Sequence, residues 1–398
     1  VRSTIATRAT LACVVAGSVA STSPARAADA TNLAVASAAA PAPERFTLES
    51  PDGAYRLKLG LDTAYKFEPR FVNGQSQNRD TIYAVRPSLR GNAVRPWLRF
   101  LLEVELAQNP PYLLYSHLEI RPIPAFGIRV GQQNTPFSRH ENRGFTRILF
   151  PDTDAVAEYF WTGRDKGLTA FGDLGSDRVD YEAGIYAGSP LRQFTTVAGN
   201  YVLEGRLAVN PLGKPSDTEF AYALGSDPAP SRLSVAVQGY YGRVQTASEN
   251  FNPNTFKFDV APSGVTTREA AGGADLIFES RRVVLLAEAY ARRTTPEAAA
   301  TYTSLGAWGQ IGVLLLPRAL DLALRASWAN PSTAIDGARF LSGEAQIAWY
   351  VSAPVLIVKL RYGLGDQQSP GTAQLGGVDL PARAGRLQIV TLQVNLAL

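Results

Sequence analysis

The feature that most constrains this chain is a period of two, repeated over long segments. Tyr55, Leu57, Leu59, Leu61, Thr63, Tyr65 and Phe67 fall on one side of an extended strand, and Arg56, Lys58, Gly60, Asp62, Ala64 and Lys66 on the other. Such alternation argues a strand with one apolar and one polar face. It recurs after Pro96, where Leu98, Phe100, Leu102, Val104 and Leu106 oppose Arg99, Leu101, Glu103 and Glu105. Around Asp180, Val179, Tyr181, Ala183 and Ile185 oppose Arg178, Asp180, Glu182 and Gly184. Near the end, Leu320, Leu322, Leu324, Ala326 and Trp328 oppose Asp321, Ala323, Arg325 and Ser327.

Two arrangements bury such faces. A soluble sandwich turns the apolar side inward, and a membrane barrel turns it to lipid. Many of these segments exceed the usual soluble strand length. Tyr55, Tyr65, Phe67, Tyr290, Trp328, Trp349, Tyr350 and Tyr362 sit near segment ends, as an aromatic girdle requires. After Ala27 no stretch holds eighteen uninterrupted apolar residues, so a spanning helix is not expected. The reading is therefore all-β: a transmembrane antiparallel β-barrel of about sixteen strands, a size that leaves an aqueous channel.

Strands are expected near 54–67, 80–90, 95–107, 112–121, 125–134, 166–174, 177–188, 199–210, 231–243, 268–280, 282–293, 302–315, 318–329, 339–351, 354–364 and 386–398. Pro122-Ile123-Pro124, Asn210-Pro211-Leu212-Gly213 and Ser352-Ala353-Pro354 read as short turns at one rim. Residues 245–267 and 366–385 read as external loops. Val390, Leu392, Val394, Leu396 and Leu398 alternate to the last residue, as a closing strand would.

One connection is too long for a hairpin. After the strand at 127–132 the chain breaks at Asn134-Thr135-Pro136 and regains a strand only at Arg164. Long irregular connections are functional or disordered. This one carries Phe137, Phe145, Phe150, Tyr159, Phe160 and Trp161, which need a surface to pack on. It also carries Arg139, Arg143 and Arg147, with Arg164 and Lys166 at its exit. A loop folded into the lumen, its cations toward water, accounts for both. The strand phases add Arg86, Arg90, Arg99 and Arg129 as lumen cations. The plainer account is that these groups pair with Glu103, Glu105, Glu119 and Glu141 and merely keep a wall hydrated.

The N-terminus reads separately. Arg2 and Arg8, the apolar run from Leu11 to Ala20 and Ala25-Arg26-Ala27 have the order of a secretory signal over 1–27. Residues 28–52 are Ala- and Pro-rich and read as a mobile periplasmic tail before a barrel domain at 53–398. Removing Arg2, Arg8 and Arg26 from 39 bases leaves 36 against 35 acids, which gives no support to nucleic-acid binding. The lone Cys13 lies in the leader, so thiol chemistry and thiolate metal sites are not expected. His117 and His140 lack the spacing of a zinc protease helix, and neither a Gly-x-Ser-x-Gly nor a phosphate-cradling loop is present. On those grounds the chain reads as a non-enzyme without cofactor.

Several stretches carry a family likeness. They are Leu118-Glu119-Ile120-Arg121-Pro122-Ile123-Pro124, then Gly127-Ile128-Arg129-Val130-Gly131-Gln132 with Thr135-Pro136-Phe137-Ser138, then Gly163-Arg164-Asp165-Lys166-Gly167, and Tyr181-Glu182-Ala183-Gly184-Ile185-Tyr186-Ala187-Gly188. In order and spacing the sequence resembles the phosphate-selective porin O and P family of outer-membrane porins, best over 83–188. The resemblance implies a homotrimer in the outer membrane of a Gram-negative bacterium, in contact with its lipid. It also implies an inward third loop and passage of small anions such as phosphate along lumen arginines. Members often carry adjacent arginines in the second strand. Here Val85-Arg86-Pro87-Ser88-Leu89-Arg90 lacks one of the pair, and Pro87 is expected to interrupt the strand. A general diffusion porin, or a barrel with an enzymatic or structural role, remains the alternative.

Overall fold

The computed structural model describes residues 46–398, apart from 73–74, 109–110, 189–199, 225–229, 253–256, 298, 336, 353, 369–372, 376–377 and 381–384. The expected leader at 1–27 and most of the tail at 28–52 lie outside the described residues. Sixteen antiparallel strands close into a barrel. In chain order they are β1 (Arg56–Val72), β2 (Gln75–Asn92), β3 (Leu98–Glu105), β4 (Tyr112–Ile123), β5 (Phe126–Asn134), β6 (Arg164–Leu174), β7 (Val179–Tyr186) and β8 (Val202–Val209). Then follow β9 (Arg232–Asn252), β10 (Lys257–Glu279), β11 (Val283–Pro296), β12 (Tyr302–Leu316), β13 (Leu320–Asn330), β14 (Arg339–Ser352), β15 (Leu356–Gln368) and β16 (Gly385–Ala397). Each pairs with its sequence neighbours, and β16 closes on β1 through pairs such as Val394↔Tyr65 and Leu396↔Thr63. Closure leaves no sheet edge, which a backbone in hydrocarbon demands. No helix of the described residues is long and apolar enough to cross a membrane.

The alternation has the expected sense. Tyr65, Phe67, Leu168, Leu324, Leu341 and Leu360 are exposed on the outside, while Lys66, Glu68, Asp165, Thr169, Arg325 and Lys359 are buried within. In the closing strand Leu392 and Val394 face out, and Thr391, Gln393 and Asn395 face in. A sandwich would show the reverse.

Four expectations need correction. Pro87 does not break β2, which runs through it opposite Leu61. The regular β2–β3 ladder covers only Ser88–Asn92, and beyond it the Glu105 carboxylate takes over as acceptor. It accepts from Val85 N at 3.0 Å, Ala107 N at 2.9 Å and Arg86 Nε at 2.7 Å, so backbone amides near the proline keep partners. Second, the stretch 245–267 is largely strand: β9 and β10 run on as a long hairpin, paired to Asn252↔Lys257. Residues 366–385 likewise hold a small hairpin, Ala373–Leu375 with Val378–Leu380. Third, Thr47–Glu49, inside the stretch read as tail, forms a short strand on β1. Fourth, Asn210-Pro211-Leu212-Gly213 is not a complete short turn but opens a connection that runs to Arg232.

Candidate functional site

The connection from β5 to β6, residues 135–163, enters the lumen. Its neck closes where Thr135 Oγ1 meets Thr162 Oγ1 at 2.6 Å and donates to the Gly163 carbonyl at 3.1 Å. Just inside, Ser138 takes φ +65°, a left-handed conformation that costs a non-glycine residue about 1–2 kcal/mol. The wall holds it there. Ser138 N donates to Gln238 Oε1 at 3.1 Å and its hydroxyl to Glu288 Oε2 at 2.8 Å, while His140 N donates to Glu288 Oε1 at 3.0 Å. One carboxylate of β11 thus fixes the first turn of the loop with both oxygens.

An irregular segment inside a barrel needs acceptors and donors for its backbone. Side chains of the far wall supply them. Gln346 Nε2 donates to the Leu149 carbonyl at 2.6 Å, Lys359 Nζ to the carbonyls of Ile148 at 2.7 Å and Phe150 at 3.1 Å, and Arg325 Nη1 to that of Asp152 at 3.0 Å. The aromatic side chains pack toward β9, β11 and β12: Phe137, Phe150, Tyr159 and Phe160 join Tyr240, Tyr290 and Trp308 in one buried cluster. The loop's short helix α1 (Ala155–Phe160) is capped by Asp154, which accepts from Val156 N and Ala157 N. It lies where β12 carries Gly306. A Cβ there would sit 2.5 Å from Phe160 and 2.6 Å from Val156, so the missing side chain lets the helix settle on the strand.

A second segment meets this loop from the opposite rim. β8 ends at Val209 and β9 begins at Arg232, and of the connection between them residues 210–224 reach into the barrel. Lys214 anchors the start to Asp173 at 2.7 Å and Asp180 at 2.8 Å. Ser216 N donates to the Glu279 carboxylate. Phe220 is fully buried against Tyr350, and Tyr222, in the short helix α2 (Ala221–Leu224), donates to Asp321 at 2.9 Å. The meeting point is Glu219, whose carboxylate accepts from His140 Nδ1 at 2.6 Å, Leu149 N at 3.0 Å and Gln310 Nε2 at 2.6 Å. Burial alone would lower the His140 pKa, but the adjoining Glu219 charge overrides it and raises it. Burial likewise opposes the Glu219 charge, yet His140 and Arg143 pull its pKa down to about 2.

The nine candidate cations divide. Arg86 is paired with Glu105 at 2.7 Å and lies over the Phe145 ring. Arg139 donates to Asp275 at 2.7 Å and Ser234 at 2.7 Å, and shares Asp275 with Arg206. Burial and Arg206 bring the Arg139 pKa down to about 10. Arg143 donates to the Ser216 carbonyl at 2.8 Å and stands 3.8 Å from Glu219. These two loop arginines are anchors. Arg164 is held at the neck between the Tyr115 and Trp161 rings, 5.1 Å from each. Lys166 alternates with the buried Asp165 and shares the strand face of Leu168, which points outward. Arg90 and Arg147 form no ion pair among the described residues, and Arg147 is exposed. Both, with Arg86, neighbour Asp62, which accepts from Thr146 Oγ1 at 3.2 Å.

The remaining two join a belt of alternating charge. Arg99 lies 3.6 Å from Glu119, Glu119 3.4 Å from Arg129, and Arg129 3.9 Å from Glu182. Glu182 faces Arg206 on the next strand, and Arg206 reaches Asp275 at 2.8 Å. His117 sits beside this belt, Nδ1 3.3 Å from the Gln132 carbonyl. Of the four acids expected as partners, Glu105 and Glu119 do pair with arginines. Glu219, Glu288, Asp275 and Gln238, which dock the loop, had no motif to give them away. The sequence offers Asp275 and Glu288 as lumen charges on later strands, but no local pattern says which segment they meet, and Gln238 and Glu219 were missed.

No protein-family model and no curated protein matches the chain. Solved structures do. OmpT of Vibrio cholerae, an outer membrane protein, is 11% identical with a TM-score of 0.60 over 88% of this chain and 99% of its own. The anion-selective porin from Comamonas acidovorans is 12% identical with a TM-score of 0.60, over 86% of this chain and 100% of its own. The outer membrane channel DcaP of Acinetobacter baumannii is 13% identical with a TM-score of 0.52, over 88% and 99%.

The chain has the fold of an outer-membrane porin. That supports the family resemblance at the level of the barrel, and the O and P subdivision goes beyond it. The fold is that of the Gram-negative outer membrane, and the exposed apolar belt suits that location. The outright exclusion of an enzyme is corrected. It rested on missing motifs, whereas the similar barrels include OmpT-type proteins beside porins, and a shared fold does not fix chemistry.

Proposed function

We propose that the barrel is an outer-membrane channel for passive diffusion of small hydrophilic solutes, with small anions favoured over cations. The observation that carries this reading is the loop 135–163 folded into the lumen with Arg147 exposed beside Arg90 and Arg86. Cations near a constriction set the sign of the field there and replace part of an anion's lost hydration. Arg90 and Arg147 take the contact role. Arg86, Arg99 and Arg129 form the wall, Arg139 and Arg143 hold the loop, and Arg164 braces its neck. Lys166 drops out of the pathway.

Phosphate draws less support than anions in general. Two-pronged recognition needs a guanidinium fork that is free to donate. The forks of Arg86, Arg129 and Arg139 already serve carboxylates. A phosphate site would thus rest on Arg90 and Arg147, and a phosphate titration that leaves chloride current unblocked would remove it.

The belt from Arg99 to Arg206 favours a second reading, a channel with no ionic bias, since neighbouring charges of opposite sign cancel at a distance. Reversal potentials under a salt gradient separate the two. Trimeric assembly belongs to the same proposal: one structure of Vibrio cholerae OmpT is described as a trimer form. So do a cleaved leader at 1–27 and a periplasmic tail before the barrel.

A further inference from the structure

We propose that Glu219 is a positioning residue: it reaches the lumen loop from the opposite rim and fixes the cationic stretch 139–147 across the passage, setting its width. The proposal rests on the channel reading above and adds a residue and a segment to it.

The connection 210–231 has no need to enter the lumen to join its strands. β8 and β9 already pair at the rim, Val209 opposite Val235, so a tight turn would suffice. The chain instead carries a carboxylate to a fully buried point inside the barrel. There it contacts both ends of the loop's cationic stretch. Its side chain accepts from His140 at 2.6 Å and from Leu149 N at 3.0 Å, and its own N–H donates to the Arg147 carbonyl at 2.8 Å. Arg143 adds a bond to the Ser216 carbonyl three residues before it.

Arg147 is therefore held by its backbone while its guanidinium stays exposed. Without Glu219, residues 145–147 keep Thr146 on Asp62 and Phe145 against Tyr83, and the Arg147 carbonyl loses the Glu219 N–H that the connection 210–224 brings to it. The segment bearing Glu219 is itself fixed at three places, by Lys214 on Asp173 and Asp180, by Ser216 on Glu279, and by Tyr222 over Gly312. A buried carboxylate with these donors is costly to unpair from either side, so the contact acts as a fixed strut.

The test uses the full chain in planar bilayers, comparing wild type with Glu219→Ala and Glu219→Gln. Heat-modifiable gel mobility confirms that each barrel is folded. The expected result is a conductance raised about twofold with added open-channel noise, because the constriction depends on a fixed loop. The sign of the selectivity change discriminates. Removing a lumen carboxylate only as a charge moves the reversal potential toward anions. Releasing Arg147 from the passage moves it toward cations, and that is the shift expected here. Unchanged conductance and noise, or a shift toward anions alone, overturns the role of Glu219 while the wild-type current leaves the channel reading standing. A wild-type barrel that carries no current overturns both. Should Glu219→Ala fail to assemble, the isosteric Glu219→Gln gives the same two readouts.

Discussion

Phe160 stacks on Tyr290, ring centroids 5.0 Å apart and planes 13° from parallel, so the short helix of the lumen loop lies flat on the barrel wall. Beneath it Gly306 leaves the space, and beside it Arg292 donates to the Tyr159 carbonyl at 3.1 Å. Phe160→Ala removes a fully buried ring from this contact and should cost about 3–5 kcal/mol of packing. Because the strands keep their ladder, the loss should appear as proteolytic sensitivity of residues 135–163 with the barrel still folded. Unchanged protection would mean that the polar clamps alone hold the loop.

The loop arginines should not contribute equally. Arg139→Ala/Arg143→Ala/Arg147→Ala together should lower anion over cation permeability. Most of the fall should come from Arg147→Ala alone, because the other two guanidinium groups are committed to Asp275 and Ser216. Reversal potentials in a salt gradient rank the single variants. Equal falls for all three would place Arg139 and Arg143 in the pathway rather than in its support.

The His140–Glu219 contact should persist in acid and weaken as pH rises through the raised His140 value. His140 has its pKa raised, so its stabilising charge is fully present below the ordinary histidine value and is lost as pH rises through the folded one. Glu219 is depressed to about 2, so its carboxylate stays charged until strongly acid conditions. Histidine NMR in micelles should give a His140 titration midpoint above the ordinary value. A midpoint below it would mean that burial outweighs the partner.

Leu324 points outward and is half exposed. If it faces hydrocarbon, Leu324→Arg should destabilise the barrel by about 2–4 kcal/mol, the cost of a cation near the bilayer midplane. Ala323→Arg, on the inner face, should fail for a different reason, since that site is fully buried against the loop cluster. Urea unfolding from lipid vesicles measures the first. A neutral outcome at Leu324 would place that face in water or protein.

Strand number and strand sense were legible because a period of two is local: Leu392 and Thr391 already differ in the sequence, and closure follows from hydrocarbon's intolerance of unpaired amides. The inward loop was legible because Phe137, Phe150 and Phe160 could not stay in water. Partners of that loop were not, since Glu288 reaches Ser138 across a separation no local pattern spans. Pro87 misled because the ladder ends beside it and Glu105, a side chain on another strand, accepts from the neighbouring Val85 N–H in place of a backbone carbonyl. Lys166 misled because the phase changes between loop and strand, and only the burial of Asp165 and Thr169 fixes it. Asn210-Pro211-Leu212-Gly213 was read as a short turn because Asn-Pro-Leu-Gly is turn chemistry, which says nothing of where the chain goes next.

The channel itself is tested most directly by single-channel recording of the purified wild-type protein in planar bilayers under a potassium chloride gradient. The proposed channel predicts stable ohmic steps with a reversal potential displaced modestly toward chloride, since Arg90 and Arg147 form no ion pair among the described residues. Absence of steps, with the barrel shown to be folded and inserted, would contradict an open passage.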